Sequence, residues 1–203
     1  MPDCCQKGDT AIVGVLSDTH LPYRLQRLPD QLFHIFRDVD LIIHAGDVDR
    51  IEQLNDLAAL APLHAVRGNL HFADLSDGGR DLPVDLRLTV AGRRVVVNHG
   101  GWTGLLSVAG DWFVESLIRP GGRRLNVRIA DRLARLYPQA DVIIFGHTHR
   151  LYQGWHNGIF LFNPGAVCPT PGRIPSVGML YLGPDTIETE IIPLVSVDPI
   201  FEE

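Results

Sequence analysis

The stretch Ala11-Ile12-Val13-Gly14-Val15-Leu16-Ser17-Asp18-Thr19-His20 decides how the rest of the chain is read. Six apolar or small residues run without a charge and then break into four polar ones. A short continuous apolar run reads as a strand buried on both faces, the kind found in parallel sheets. The polar residues then fall just past the strand's carboxyl end, where open α/β sheets bind ligands. The same design recurs along the chain. Residues 40–45 are a second apolar run, closed by Gly46-Asp47, and 63–66 a third, closed by Arg67-Gly68-Asn69. Residues 93–98 lead to His99, and 141–145 to Gly146-His147-Thr148-His149.

Between these runs the spacing changes. In residues 24–36, Leu25, Leu28, Leu32, Ile35 and Phe36 recur at a helical period interrupted by Pro29, and 50–60 reads as a second helix stopped before Pro62. Residues 84–90 alternate Val84, Leu86, Leu88 and Val90 with polar neighbours. Ala91-Gly92 then turns this strand into 93–98 as a hairpin. Residues 123–137 predict a helix with Leu125, Ile129, Leu133 and Leu136 on one face. Strands around Tyr152, 159–162, 179–182 and 187–192 close the chain. The mixture predicts an α/β or α+β sandwich with helices on its outer faces. No repeat or linker divides it, so residues 1–203 are expected to form a single domain.

Composition narrows the classes. Of 203 residues, 45% are hydrophobic and 21% charged, an ordinary globular balance that argues against a disordered chain. No apolar stretch approaches the ~18 residues of a membrane helix, and the start carries no secretory pattern. Three cysteines, Cys4, Cys5 and Cys168, make a poor disulfide framework. The cytoplasm is therefore the expected compartment. A formal net charge of −6 gives no general pull toward nucleic acid or anionic membrane.

Asp18, His20, Asp47, Asn69, His99, His147 and His149 thus follow apolar runs on five separate segments. Imidazole, carboxylate and amide groups together suit a divalent cation, and a carboxylate can bridge a pair of them. Each signal alone has a plain alternative. Gly46-Asp47 is an ordinary turn, Asn69 after Gly68 an ordinary left-handed residue, and His147 and His149 could be hydrogen-bonding turn residues. Their joint recurrence at strand ends is what points to a site. His34, His44, His64 and His156 have no such spacing and read as structural. Arg124, Arg128 and Arg132 share a helix face opposite Leu125, Ile129 and Leu133, and with Arg119, Arg123 and Arg135 they read as a solvated face; an anchor for a polyphosphate or nucleic-acid substrate is the alternative. Trp102, Trp112 and Phe113 read as core or lid packing, with base stacking as the alternative.

The order Asp18-Thr19-His20, Gly46-Asp47, Gly68-Asn69, Asn98-His99-Gly100, Gly146-His147-Thr148-His149 and Asn163-Pro164-Gly165 resembles the calcineurin-like metallophosphoesterases. The likeness is to their small bacterial and archaeal phosphodiesterase branch, which also includes the scaffold of the eukaryotic retromer coat. The resemblance implies a four-layer αββα sandwich of two mixed β-sheets flanked by helices. It implies that Asp18, His20 and His149 hold one metal, Asn69, His99 and His147 a second, and that Asp47 bridges them, with a hydroxide between the metals as nucleophile. Two divalent ions are implied, manganese first, with iron, zinc, nickel or cobalt as alternatives. Asp47, Asn69, His71 and His99 are the implied catalytic residues. The expected substrate is a small phosphodiester; a phosphomonoesterase, a nuclease or a metal-optional interaction scaffold of the same fold are the alternatives. Two positions depart from the pattern. Leu70 stands where many relatives have a general-acid His, leaving His71 as the candidate, and Gly101 stands where a further His is common.

Overall fold

A computed structural model of the chain describes residues 10–69, 81–101 and 122–195. His71, Trp102, Trp112, Phe113 and Arg119 lie outside these residues, as do Cys4 and Cys5.

Two mixed five-stranded sheets form the body. In the first, β1 (Ala11–Leu16), β2 (Leu41–His44) and β3 (Leu63–Ala65) run parallel. There β9 (Ser176–Leu182) pairs antiparallel with β1, and β10 (Ile187–Pro193) with β9. In the second, β5 (Arg93–Asn98), β6 (Val142–Ile144) and β8 (Ile159–Pro164) run parallel. The strands β4 (Asp85–Val90) and β7 (Leu151–His156) flank them antiparallel. The expected hairpin is present, with Thr89 opposite Arg94 and Val90 opposite Arg93 across the Ala91-Gly92 turn.

The period-2 geometry of strands divides the apolar side chains between three cores. Val13, Val15, Leu41 and Ile43 face Leu88, Val95, Val97, Val142, Ile144 and Phe162 between the sheets. On the outer side of the first sheet, Leu16 and Ile42 meet Leu32 and Phe36 of α1 (Asp30–Ile35 with its C-terminal flank) and Leu57 of α2 (Asn55–Ala58). On the outer side of the second, Val96, Ile143 and Phe145 meet Ile129, Ala130, Leu133 and Ala134 of α3 (Gly122–Leu136). The layers are therefore helix, sheet, sheet, helix, the αββα sandwich the sequence leads one to expect. Burial on both faces explains why β1, β2 and β6 read as unbroken apolar runs.

Two helices differ from expectation. The first begins only at Asp30, because Pro29 at its N-cap cannot continue a helix backwards. Leu25 and Leu28 still join the outer core from a non-helical segment, which is how they mimic a helical period. The second opens as a 3₁₀ turn over Ile51–Leu54 before becoming α2.

Candidate metal centre

The parallel strands of both sheets deliver their carboxyl ends to one place. From the first sheet, the segments after β1, β2 and β3 carry Asp18 and His20, Asp47, and Asn69. From the second, those after β5 and β6 carry His99, and His147 with His149. Main-chain hydrogen bonds stitch these segments together: Asp18 N–H donates to Gly46 O at 3.0 Å, His20 N–H to Asp47 O at 3.1 Å, and Gly146 N–H to His99 O at 3.0 Å. All seven candidates come together. The eighth, His71, lies outside the described residues.

Asp47 sits in the middle. Its Oδ2 is 3.4 Å from His20 Nε2 and 3.2 Å from His99 Nε2, while its Oδ1 accepts the Asn69 N–H at 2.8 Å. Asp18 is fully buried, with Oδ1 3.3 Å from His149 Nε2; both its oxygens lie within 3.2 Å of the His147 amide. Ligand atoms of Asp18, His20, Asp47 and His149 lie within 4.8 Å of one another, a set that could hold a metal ion. On the other side, Asn69 Nδ2 stands 2.8 Å from His147 Nδ1, and the His99 and His147 rings meet edge-on at 5.3 Å. An amide's O and N are exchangeable by a flip. Two ligands at right angles on one cation would stand ~3 Å apart.

The donors fit divalent cations on three further counts. His99 Nε2 is buried 3.2 Å from Asp47 Oδ2 and makes no hydrogen bond among the described residues, so on losing its proton it would turn a lone pair toward the same carboxylate. The outer nitrogens of two rings are tied back as ligating histidines require: His99 Nδ1 to Ala45 O and His149 Nδ1 to Thr170 Oγ1, each at 2.8 Å. Finally, five of the seven candidates (Asp18, His20, Asp47, His147 and His149) have positive φ between 49° and 71°. Such backbone costs about 1–3 kcal/mol per residue and tends to gather at functional sites.

The charges are finely opposed. Burial alone would raise the Asp18 carboxyl, but the charge of His149 and its hydrogen bond outweigh it and hold it at about 2. Burial would likewise lower His99 and His149; instead Asp47 lifts His99 to about 9, and Asp18 lifts His149 to about 10. His147 is pushed down to about 4 by burial and by the charge of His99.

Further residues support the site, some singled out in the sequence and some not. His44, read there as structural, links two site loops. Its ring is pushed down to about 3 by burial, so it is neutral: Nδ1 accepts the Gly46 N–H at 3.2 Å and Nε2 donates to Thr19 Oγ1 at 3.1 Å. The Thr19 hydroxyl in turn donates to Asp47 O. Asn163 donates to Gly146 O at 2.8 Å, so Asn163-Pro164-Gly165 braces the turn before His147. Gly68 packs on Asp47 so closely that a Cβ there would stand 1.9 Å from Oδ1. At Gly101, the departure from the family pattern, a Cβ would fall 2.0 Å from Asn69 Oδ1, so a side chain there would require the amide to move.

The reading of one arginine needs correction. Arg128 and Arg135 are exposed, as a solvated face requires. Arg132 is partly buried, and its Nη2 donates to Gly100 O and, at 3.1 Å, to Gly101 O. It ties α3 to the loop that follows His99. The helical period places Arg132 on the arginine face, but its bonds to the Gly100 and Gly101 carbonyls leave it only partly exposed.

Comparison with known proteins follows the same lines. Residues 12–184 match the calcineurin-like phosphoesterase superfamily domain. A "probable metallophosphoesterase" of Methanocaldococcus jannaschii is 34% identical over 188 residues, covering 92% of this chain and 83% of that protein. Among solved structures, a single mutant of Vps29 from Entamoeba histolytica superposes with a TM-score of 0.60 at 18% identity, over 91% of this chain and 99% of the other. A structure described as a novel archaeal phosphodiesterase gives a TM-score of 0.56 at 22% identity, over 90% and 99%. At these identities the two structures share the fold.

Proposed function

Because this chain belongs to the calcineurin-like phosphoesterase superfamily, we propose that it is a two-metal phosphodiesterase acting on small phosphoesters. The observation that carries this reading is the single carboxylate oxygen, Asp47 Oδ2, standing 3.2–3.4 Å from imidazoles of two different sheets. One carboxylate between two donor sets is what a bridged pair of cations needs.

In this reading Asp18, His20 and His149 hold one cation, Asn69, His99 and His147 the other, and Asp47 both. Such ions would polarise phosphoryl oxygens and activate water at neutral pH. The chain's own part is largely positional. Asp18 and Asp47, buried and ionised, supply the negative charge that gathers cations into an acidic protein. The His99 and His149 protons leave when cations bind, so uptake releases protons and strengthens as pH rises. His71 is the proton donor we propose for poor leaving groups; aryl leaving groups need none. Ala45 O behind His99 Nδ1 and Thr170 Oγ1 behind His149 Nδ1 would orient these two rings.

We also read residues 1–203 as one domain and the cytoplasm as its compartment. No described helix is long and apolar enough to cross a membrane, and the acidic net charge does not favour a nucleic-acid partner. Manganese is the metal we propose first. The test is to strip the protein with a chelator, restore Mn²⁺, and assay an aryl phosphodiester and an aryl phosphomonoester. Restored hydrolysis, faster on the diester, is expected. No metal-restored turnover of either ester would overturn the reading.

A further inference from the structure

Asp49 lies outside the seven metal-ligand candidates, yet it is 3% exposed, as hidden as the candidates themselves. Its Oδ2 makes no hydrogen bond among the described residues. Burying a carboxylate without a partner costs several kcal/mol, so its position calls for a reason. Facing it is His20, whose Nδ1 is 3.7 Å from Oδ2. The other nitrogen of that ring, Nε2, faces Asp47 Oδ2 at 3.4 Å. A bridge between Leu21 and Asp49 fixes the two backbones side by side, and Asp49 takes φ 60°, a left-handed turn that brings it back toward the site.

We propose that Asp49 is a positioning residue for the metal centre: it holds His20 with the proton on Nδ1, so that the bare Nε2 is turned to a cation shared with Asp47. This rests on the two-metal reading above. The chemistry is that of a carboxylate behind a ligating imidazole, which fixes the tautomer and ring angle and makes the ring a stronger donor. A histidine bound through Nε2 must carry its proton on Nδ1, and that proton completes the partner Asp49 otherwise lacks. The contrast with the other rings supports the assignment. His99 and His149 lean on a carbonyl and a hydroxyl; His20 is the described imidazole of the centre that leans on a carboxylate outside the ligand set. The 3.7 Å gap is longer than a hydrogen bond, and the proposal requires it to shorten when a cation is bound.

The test is Mn²⁺ uptake by the chelator-stripped protein, followed through the electron paramagnetic resonance signal of free Mn²⁺. Wild type is expected to bind two ions. Asp49→Gly removes the carboxylate while tolerating the positive φ, and is expected to weaken one of the two steps by roughly 10–100-fold. Asp49→Asn keeps an acceptor for the Nδ1 proton and should recover part of that loss. In an Asn69→Ala background, where the His20 side alone remains, Asp49→Gly should weaken the single remaining step by the same factor. Metal-free Asp49→Asn should melt no lower than metal-free wild type, since the amide oxygen keeps an acceptor facing His20 Nδ1. Two steps of wild-type affinity in Asp49→Gly would overturn the proposal. So would an equal fall of both steps together with a lower metal-free melting temperature, which marks a merely structural role. If wild type itself binds no Mn²⁺, the phosphodiesterase reading fails with it; if wild type binds two and Asp49→Gly matches it, only the role of Asp49 fails.

Discussion

The two halves of the centre are built differently. The half formed by Asp18, His20 and His149 draws on the middle strand of each sheet, Asp18 and His20 following β1 and His149 following β6, and the Ser17 hydroxyl stands 2.6 Å from Asp18 Oδ2. The half formed by Asn69, His99 and His147 hangs on loops. Asn69 follows the edge strand β3, and the loop after His99 is held by Arg132 from a helix on the far side of its sheet. Apart from the shared Asp47, this second set holds no carboxylate. One half is a rigid anionic socket, and the other is assembled by contacts between distant parts of the fold. The difference implies that a change at Asp47 acts on both halves, whereas a change at Arg132 acts mainly on the second.

The largest effect is therefore expected at the shared residue. Asp47→Ala should abolish binding of the second ion, weaken the first, and lower kcat/KM by roughly 10³-fold or more, equivalent to about 4 kcal/mol. Asn69→Ala and His99→Ala should each remove one ion and leave the other, measured as metal per chain after gel filtration; unchanged metal content in both would break the division into halves. A smaller effect is expected at Arg132. Arg132→Ala should weaken the step assigned to His99 by about 10-fold, as outer residues of metal sites do, with Arg132→Lys recovering part of it. An Arg132→Ala protein with both steps intact would mean the loop needs no tie.

The arginine also shows what a sequence conceals. The strands and the order of ligands were legible because each rests on local pattern: an apolar run and the polar residues that end it. Asp18 to His149 could be assembled in words because strand ends converge in any sandwich of this kind. Arg132, Thr170, His44 and Asp49 were not legible. Their roles depend on which side chains meet across 20 or more residues of chain, and nothing in a helical period or a Gly-Asp turn encodes that. The start of α1 was misjudged because buried non-helical residues, Leu25 and Leu28, happened to extend its spacing. The crowding at Gly101 was also invisible, since it depends on where the Asn69 amide lies.

The smallest effect sharpens the comparison through pH. In the metal-free protein, His99 and His149 sit above their ordinary value, at about 9 and 10. Their pairing with Asp47 and Asp18 therefore stabilises the fold fully below pH 6.5, and is lost as pH rises through 9 and 10. His147 and His44 sit below it, at about 4 and 3. Their contribution is present above pH 6.5 and is lost as pH falls through those values. Thermal melts in chelator should show a maximum near neutrality with a decline on both sides, and Mn²⁺ should remove most of the alkaline decline by taking the protons' place. Melts that keep rising to pH 10 would contradict the opposed charges described here.

The claim at the centre is that one carboxylate serves two cations. Metal content, measured by mass spectrometry on Mn²⁺-loaded wild type and on Asp47→Ala at the same free-ion concentration, tests it most directly. Two ions per wild-type chain and fewer than one per Asp47→Ala chain are the predicted result; two ions per chain in both proteins would contradict it.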